Sequence, residues 1–177
     1  ILVCAGAGGH AGTLSPFALV REVREFFDGP LALSGSISEG SSVLSALALG
    51  ADFAYVGTKF IATEEANASP GYKQMIIDST ADDIMYSATF TGVNGNYLRP
   101  SVEAAGLNPD EHTSGSKDDM NFSTSAIAKK DNSSKAWKDI WGSGQGIGSI
   151  KNAPSVEDAV NQMVSEYDDA KSRLESF

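Results

Sequence analysis

Residues 30–58, PLALSGSISEGSSVLSALALGADFAYVGT, hold the pattern that decides the fold. Leu31–Leu33 is an apolar run too short for a helix and bounded by Pro30 and Gly35, which predicts a strand. The loop Ser34-Gly35-Ser36-Ile37-Ser38 follows. A helix is expected from about Ser41 to Leu49, closed by Gly50 where a left-handed residue is favoured. Phe53–Val56 is the next apolar run and ends in Gly57-Thr58. Strand, glycine loop, helix and strand in this order make a βαβ unit with parallel strands.

The N-terminal side repeats the unit. Ile1–Cys4 is apolar and breaks into AGAGGHAG (residues 5–12). Ser15 and Pro16 suit the cap and first position of a helix. Phe17, Val20, Val23 and Phe27 form its apolar stripe, and Asp28-Gly29-Pro30 stops it. Continuous apolar strands predict burial on both sheet faces.

The C-terminal side changes character. Tyr72 to about Ala88 is expected to be helical, anchored by Met75, Ile76, Ile84 and Met85. Thr91–Ser134, rich in Gly, Asn, Ser and Asp, reads as an irregular, lid-like extension with short helical pieces. IWGSGQGIGSI (residues 140–150) is glycine-rich again. Its GxGxxG-like spacing is a weak dinucleotide signal, because no strand precedes it. The last helix follows Pro154-Ser155, with Asp158 in its first turn and Val156, Val160, Met163, Val164, Tyr167 and Leu174 on one face. The chain therefore divides into β/α units over residues 1–62 and a helical, loop-rich extension over 63–177.

The chain has 177 residues, a formal net charge of −10, 41% hydrophobic and 20% charged residues, which is globular composition. The acidic balance argues against nucleic acid or an anionic membrane as partner. No apolar stretch reaches the roughly 18–20 residues of a membrane span. One cysteine, Cys4, sits in an apolar run and predicts a core position in a reduced, cytoplasmic setting. Two separated histidines and one cysteine make no metal site.

The glycine loops lie at the carboxyl ends of strands, where α/β folds build sites. Ser34-Gly35-Ser36 and Gly57-Thr58 end neighbouring strands and can aim amides at one phosphate, or be tight turns; glycine spacing leaves both open. His10, among Gly8, Gly9, Ala11 and Gly12, is free of bulky neighbours, and an imidazole is a side chain suited to proton transfer, though a satisfied structural histidine fits as well. His112, in DEHTSGSKDD (residues 110–119), reads as solvated.

AGAGGHAG, PLALSGSISEG and ALALGADFAYVGTKFIATEEANA, in this order, resemble the nitronate monooxygenase family, once called 2-nitropropane dioxygenases. The likeness continues through YKQMIIDSTADDIMYSATFTGVNGNYLRPS and IWGSGQG. It implies an FMN-dependent (β/α)8 TIM barrel, of which this chain carries about strands six to eight with their helices plus a C-terminal extension. The first five strands are expected to lie outside this sequence, leaving unpaired edges that favour self-association. The resemblance further implies that His10 is the catalytic base, or holds the nitro group, above the flavin. Gly8 and Gly9 belong to its loop. Ser34, Gly35 and Ser36, with Gly57 and Thr58, would hold the FMN phosphate, and Gln145 would approach the flavin. The implied reaction oxidises an alkyl nitronate or nitroalkane with O2 to a carbonyl compound and nitrite. An FMN- and NAD(P)H-dependent enoyl-thioester reductase of the same barrel type, and an inactive flavin- or phosphate-binding fragment, are the other readings. Two departures stand out: Gly6 occupies a position often acidic, and Ser36 replaces the usual second glycine of the phosphate loop.

Overall fold

The computed structural model describes residues 1–112 and 139–176. Strands β1 (Leu2–Val3), β3 (Ala32–Ser34) and β4 (Phe53–Tyr55) form a parallel sheet in the order β1-β3-β4, with Leu2 opposite Leu33 and Ser34 opposite Tyr55. Helices α1 (Pro16–Arg24) and α2 (Gly40–Ala48) make the crossovers, and the one-turn helix α3 (Thr58–Ile61) follows β4. Ser15 takes the extended N-cap conformation and Pro16 the first turn, as the sequence predicts. Gly50 has φ +107°, the left-handed conformation that favours glycine.

One core forms between the helices and one sheet face, from Cys4, Val20, Leu31, Leu33, Ile37, Ala46 and Ala51. The other face is uncovered: Val3 is 40% exposed, Phe53 59% and Tyr55 55%. Burial on both faces therefore does not occur among the described residues. Strand side chains alternate, so Leu2 and Cys4 face the helices while Ile1 and Val3 face away. The stripe of α1 divides likewise, with Val20 buried, Val23 half-buried and Phe17 exposed.

Arg24 locks the turn between α1 and β3. Its guanidinium donates to the carbonyls of Gly29 (2.7 Å) and Gly50 (2.7 and 2.9 Å) and to the Asp52 carboxylate (2.7 Å). Asp52 also accepts from the Leu31 amide at 2.8 Å. That amide bond first, and Arg24 second, hold its carboxyl below the usual carboxylate range.

A second sheet arises where none was expected. β2 (Gly9–His10), β6 (Gly95–Leu98) and β5 (Ile84–Ser87) pair antiparallel in the order β2-β6-β5. The predicted helix over Tyr72–Ala88 is shorter: α4 is Pro70–Asp78, capped by the Ser69 side chain on the Tyr72 amide. Ile84 and Met85 are strand residues, and the half-buried, buried, half-buried, buried order of Ile84–Ser87 is strand alternation. The described part of the Thr91–Ser134 extension contains β6 and α5 (Arg99–Ala104); its remainder, from residue 113, lies outside the described residues. His112 ends a 3-10 turn, Pro109–His112, and its side chain also lies outside them.

The C-terminal helix α6 (Val156–Glu175) is capped by Ser155 accepting from the Asp158 amide at 3.0 Å. It packs on α2, with Ala159 and Ala170 buried and Met163 and Tyr167 half-buried. Val156, Val160, Val164 and Leu174 stay exposed, which corrects the predicted face. Backbone proximity explains the shift. A Cβ built on Gly40 would lie 2.1 Å from the Met163 carbonyl oxygen and 2.2 Å from the Tyr167 nitrogen. Gly40 supplies the small residue such a contact needs, so the Met163–Tyr167 stretch faces α2 while Val160 and Val164 face outward.

Candidate functional site

The carboxyl ends of β1, β3 and β4 surround a cavity of ≈ 290 Å³. Gly8, Gly9, Ser34, Gly35, Ser36, Gly57 and Thr58, all singled out from the sequence, line it. No charged side chain does. Gly35 has φ +141°, and a Cβ there would lie 2.2 Å from Cys4 Sγ and 2.8 Å from the Ala5 carbonyl oxygen. Only glycine fits that crossing of β1 and β3. Cys4 is buried and its thiol is pushed up by burial, the condition of a core residue and not of a nucleophile.

Backbone bonds tie the walls together. The Gly6 carbonyl accepts from the Ser36 amide at 3.2 Å and from the Gln145 amide at 2.9 Å. Thr58 Oγ1 accepts from the Gly144 amide at 2.9 Å. The Ser36 amide is thus committed to protein. The amides of Gly35, Ile37, Gly57 and Thr58 donate to no acceptor among the described residues. Gly57 and Gly9 are also open, since an added Cβ at either would meet nothing within 4 Å. Four unengaged amides at adjacent parallel strand ends can hold an anion without any cationic side chain.

The two departures at Gly6 and Ser36 share one place. Gly6 has φ +82°, and its Cβ would lie 2.1 Å from Ser36 Oγ and 2.9 Å from Gln145 Oε1. Ser36, with φ +55°, is the one described non-glycine residue at positive φ. Its side chain occupies the space that a side chain at position 6 would need.

His10 is exposed and lies outside the cavity lining, at the rim next to Gly9. Strand β2 sets its direction: Gly9 pairs with Asn96 and His10 with Gly95. His10 Nε2 is 3.2 Å from Thr91 Oγ1. Gln145 opens the 3-10 turn Gln145–Ser149 and is exposed, while its neighbours Gly144 and Gly146 line the cavity.

Several participants were not foreseen. Asn96 is 2% exposed and donates from Nδ2 to the Ala7 carbonyl at 2.7 Å. Its own carbonyl accepts from the Ser143 amide at 3.2 Å. It therefore clamps the glycine loop to the 142–146 segment. Glycines at 142, 144 and 146 let that segment lie against the loop: a Cβ on Gly8 would be 2.7 Å from the Gly144 nitrogen. Glycine at alternate positions was the visible signal. Tyr55 and Ile61 also line the cavity.

A family model of nitronate monooxygenase matches residues 1–166. The chain belongs to the nitronate monooxygenase family. Relatives include a Mycobacterium tuberculosis protein provisionally named a monooxygenase, 28% identical over 97% of this chain and 48% of its own length. The nitronate monooxygenase of Paraburkholderia phytofirmans is 31% identical over 58% of this chain and 31% of its own length. The chain thus spans half or less of the curated relatives it matches. Among solved structures, FabK from Thermotoga maritima matches with TM-score 0.72 and 24% identity, over 98% of this chain and 55% of that one. The nitroalkane oxidase of Streptomyces ansochromogenes matches with TM-score 0.71 and 24% identity, over 97% and 52%. At such identities the likeness establishes the fold, and nitronate monooxygenase membership rests on the family match. Among the described residues no helix is long and apolar enough to cross a membrane.

Proposed function

We propose that this chain is the C-terminal portion, about strands six to eight of a (β/α)8 barrel, of an FMN-dependent oxidoreductase. Its reaction is oxidation of an alkyl nitronate or nitroalkane with O2 to a carbonyl compound and nitrite. The set of unengaged amides of Gly35, Ile37, Gly57 and Thr58 carries the reading. A phosphate there meets donors on two strand ends and no carboxylate in the cavity wall. The residues present fit the FMN phosphate, with the Ser36 hydroxyl as a further donor at the mouth. Gly8 and Gly9 bring side-chain-free backbone to the cavity, which suits a flat ring.

Bound FMN would supply the electron-transfer chemistry, with the protein contributing position and electrostatics. His10, at the end of the same loop, takes the α-proton of a neutral nitroalkane, or orients the nitro group of a nitronate that has already lost it. Gln145 is held next to that loop through the Gly6 carbonyl. Residues 1–62 then carry the phosphate end, and 63–177 shape the substrate side. The uncovered sheet face around Val3, Phe53 and Tyr55 suits self-association, and a buried thiol at Cys4 suits a reduced, cytoplasmic setting.

A second reading, an FMN- and NAD(P)H-dependent enoyl-thioester reductase, draws on the fold likeness to FabK. A third keeps flavin or phosphate binding and drops turnover. One titration and two assays separate them. FMN added to the protein should show a perturbed visible spectrum and saturable binding, and nitrite should appear from a nitronate under air. NADH oxidation coupled to an enoyl thioester, without nitrite release, selects the reductase. Binding with neither activity selects the third, and no FMN binding refutes all flavin readings of this chain.

A further inference from the structure

We infer that Thr91 is a positioning residue for His10: it fixes the ring hydrogen on Nε2 and leaves Nδ1 as the basic nitrogen. Thr91 lies in the turn between β5 and β6. That turn is tied down by the Gly92 amide on the Ala88 carbonyl (2.7 Å) and by the Ala11 amide on the Asn94 carbonyl (3.2 Å). The second of these bonds starts at the residue after His10, so turn and histidine are held to each other from both sides. The Tyr86 phenol adds a bond to the Ala11 carbonyl at 3.0 Å.

The polarity follows from counting hydrogens. The Thr91 hydroxyl has one, and it goes to the Val93 carbonyl at 2.7 Å, a group that can only accept. The same oxygen accepts from the Val93 amide at 3.1 Å. Toward His10 Nε2, at 3.2 Å, Thr91 Oγ1 can therefore only accept, so Nε2 must carry hydrogen. Tyr97 nearby is pushed up by burial and stays a neutral phenol, so it places no charge beside this pair. A neutral imidazole with Nε2–H has its lone pair on Nδ1.

The catalytic consequence rests on the nitroalkane reading; the tautomer does not. In proton removal, the substrate's Cα–H bond breaks and the proton passes to Nδ1. The electron pair delocalises into the nitro group as nitronate. The ring becomes an imidazolium whose Nε2–H already has its acceptor in Thr91, so no ring rotation is needed.

The test is nitrogen NMR of the 15N-labelled protein, which contains two histidines. His112→Gln assigns the His10 signals. As a neutral imidazole, His10 should show a protonated Nε2 and a bare Nδ1. Thr91→Val should move these signals toward tautomer averaging, and Thr91→Ser should restore them. With FMN bound, Thr91→Val should slow turnover of neutral nitroalkane by about tenfold or more, and Thr91→Ser should recover it. A bare Nε2 in the parent protein, or an unchanged His10 spectrum in Thr91→Val, overturns the inference. The expected tautomer without any nitronate turnover would instead refute the functional reading and leave the positioning role standing.

Discussion

Replacing Asn96 by leucine tests whether the glycine loop is held from beneath. The backbone partners of Asn96 survive the change, because the strand pairing with Gly9 and Tyr86 and the bond from the Ser143 amide use main-chain atoms. Only the 2.7 Å bond from Nδ2 to the Ala7 carbonyl is lost. Leucine is close in volume, so the cost is that of a buried carbonyl left without its donor, about 1–3 kcal/mol. For a chain of this size each kcal/mol lowers the melting temperature by roughly 2–4 °C, giving a fall of about 2–12 °C. Thermal unfolding by circular dichroism measures it. FMN affinity should fall in the same variant, because Ala7, Gly8 and Gly9 line the cavity. A melting temperature within about 1 °C of the parent, with unaltered FMN affinity, would refute the clamp.

Gly40→Ala should be among the most damaging single-methyl changes. Its Cβ meets α6 backbone at 2.1 and 2.2 Å, and the Gly40 amide would lose its 2.8 Å bond to Glu166 if the helices part. Overpacking plus that bond predicts about 3 kcal/mol or more in urea unfolding, and a loss under 1 kcal/mol would contradict the contact. Tyr72 gives a pH prediction. Its phenol, stacked on Trp141 and donating to the Gly142 carbonyl, is pushed up to about 12 by burial. The folded state keeps this proton longer than the unfolded chain, whose tyrosines titrate near 10. Its contribution is therefore full below pH about 10 and is lost as pH rises toward 12, up to about 3 kcal/mol. Tyr72→Phe should flatten the alkaline limb of the stability curve, and parallel curves for the two proteins would show that Tyr72 is not its source.

The parallel β/α units were legible because their signals are local. Pro16 after Ser15 and the positive-φ Gly50 each act within a turn of chain, whereas α1 ends at Arg24, ahead of the expected stop at Asp28-Gly29-Pro30, and leaves Phe27 outside the helix. The lining of the cavity was legible because glycines marked the strand ends. What escaped depended on distant partners. Gly9 and His10 become a strand only because Gly95 and Asn96 come alongside, and two-residue strands carry no periodicity of their own. Ile84 and Met85 suited a helix stripe as well as a strand, and pairing with Tyr97 and Leu98 decided it. The face of α6 was misread because its apolar count favoured the valines. The close approach at Gly40 set the Met163–Tyr167 stretch against α2 instead, and nothing within α6 records that glycine.

The bonds meeting at the Gly6 carbonyl make the cavity stiff in a particular way. One oxygen holds the turn after β3 through Ser36 and the distant Gln145 segment together. Neither wall can retreat alone without stranding a donor, so any widening is shared among segments remote in sequence. Rotation of the single peptide that bears this oxygen would release both at once, and Gly6, at φ +82° without a side chain, is the residue whose backbone resists such rotation least. A change of that one peptide would thus be shared by the turn after β3 and by the segment that begins at Gln145.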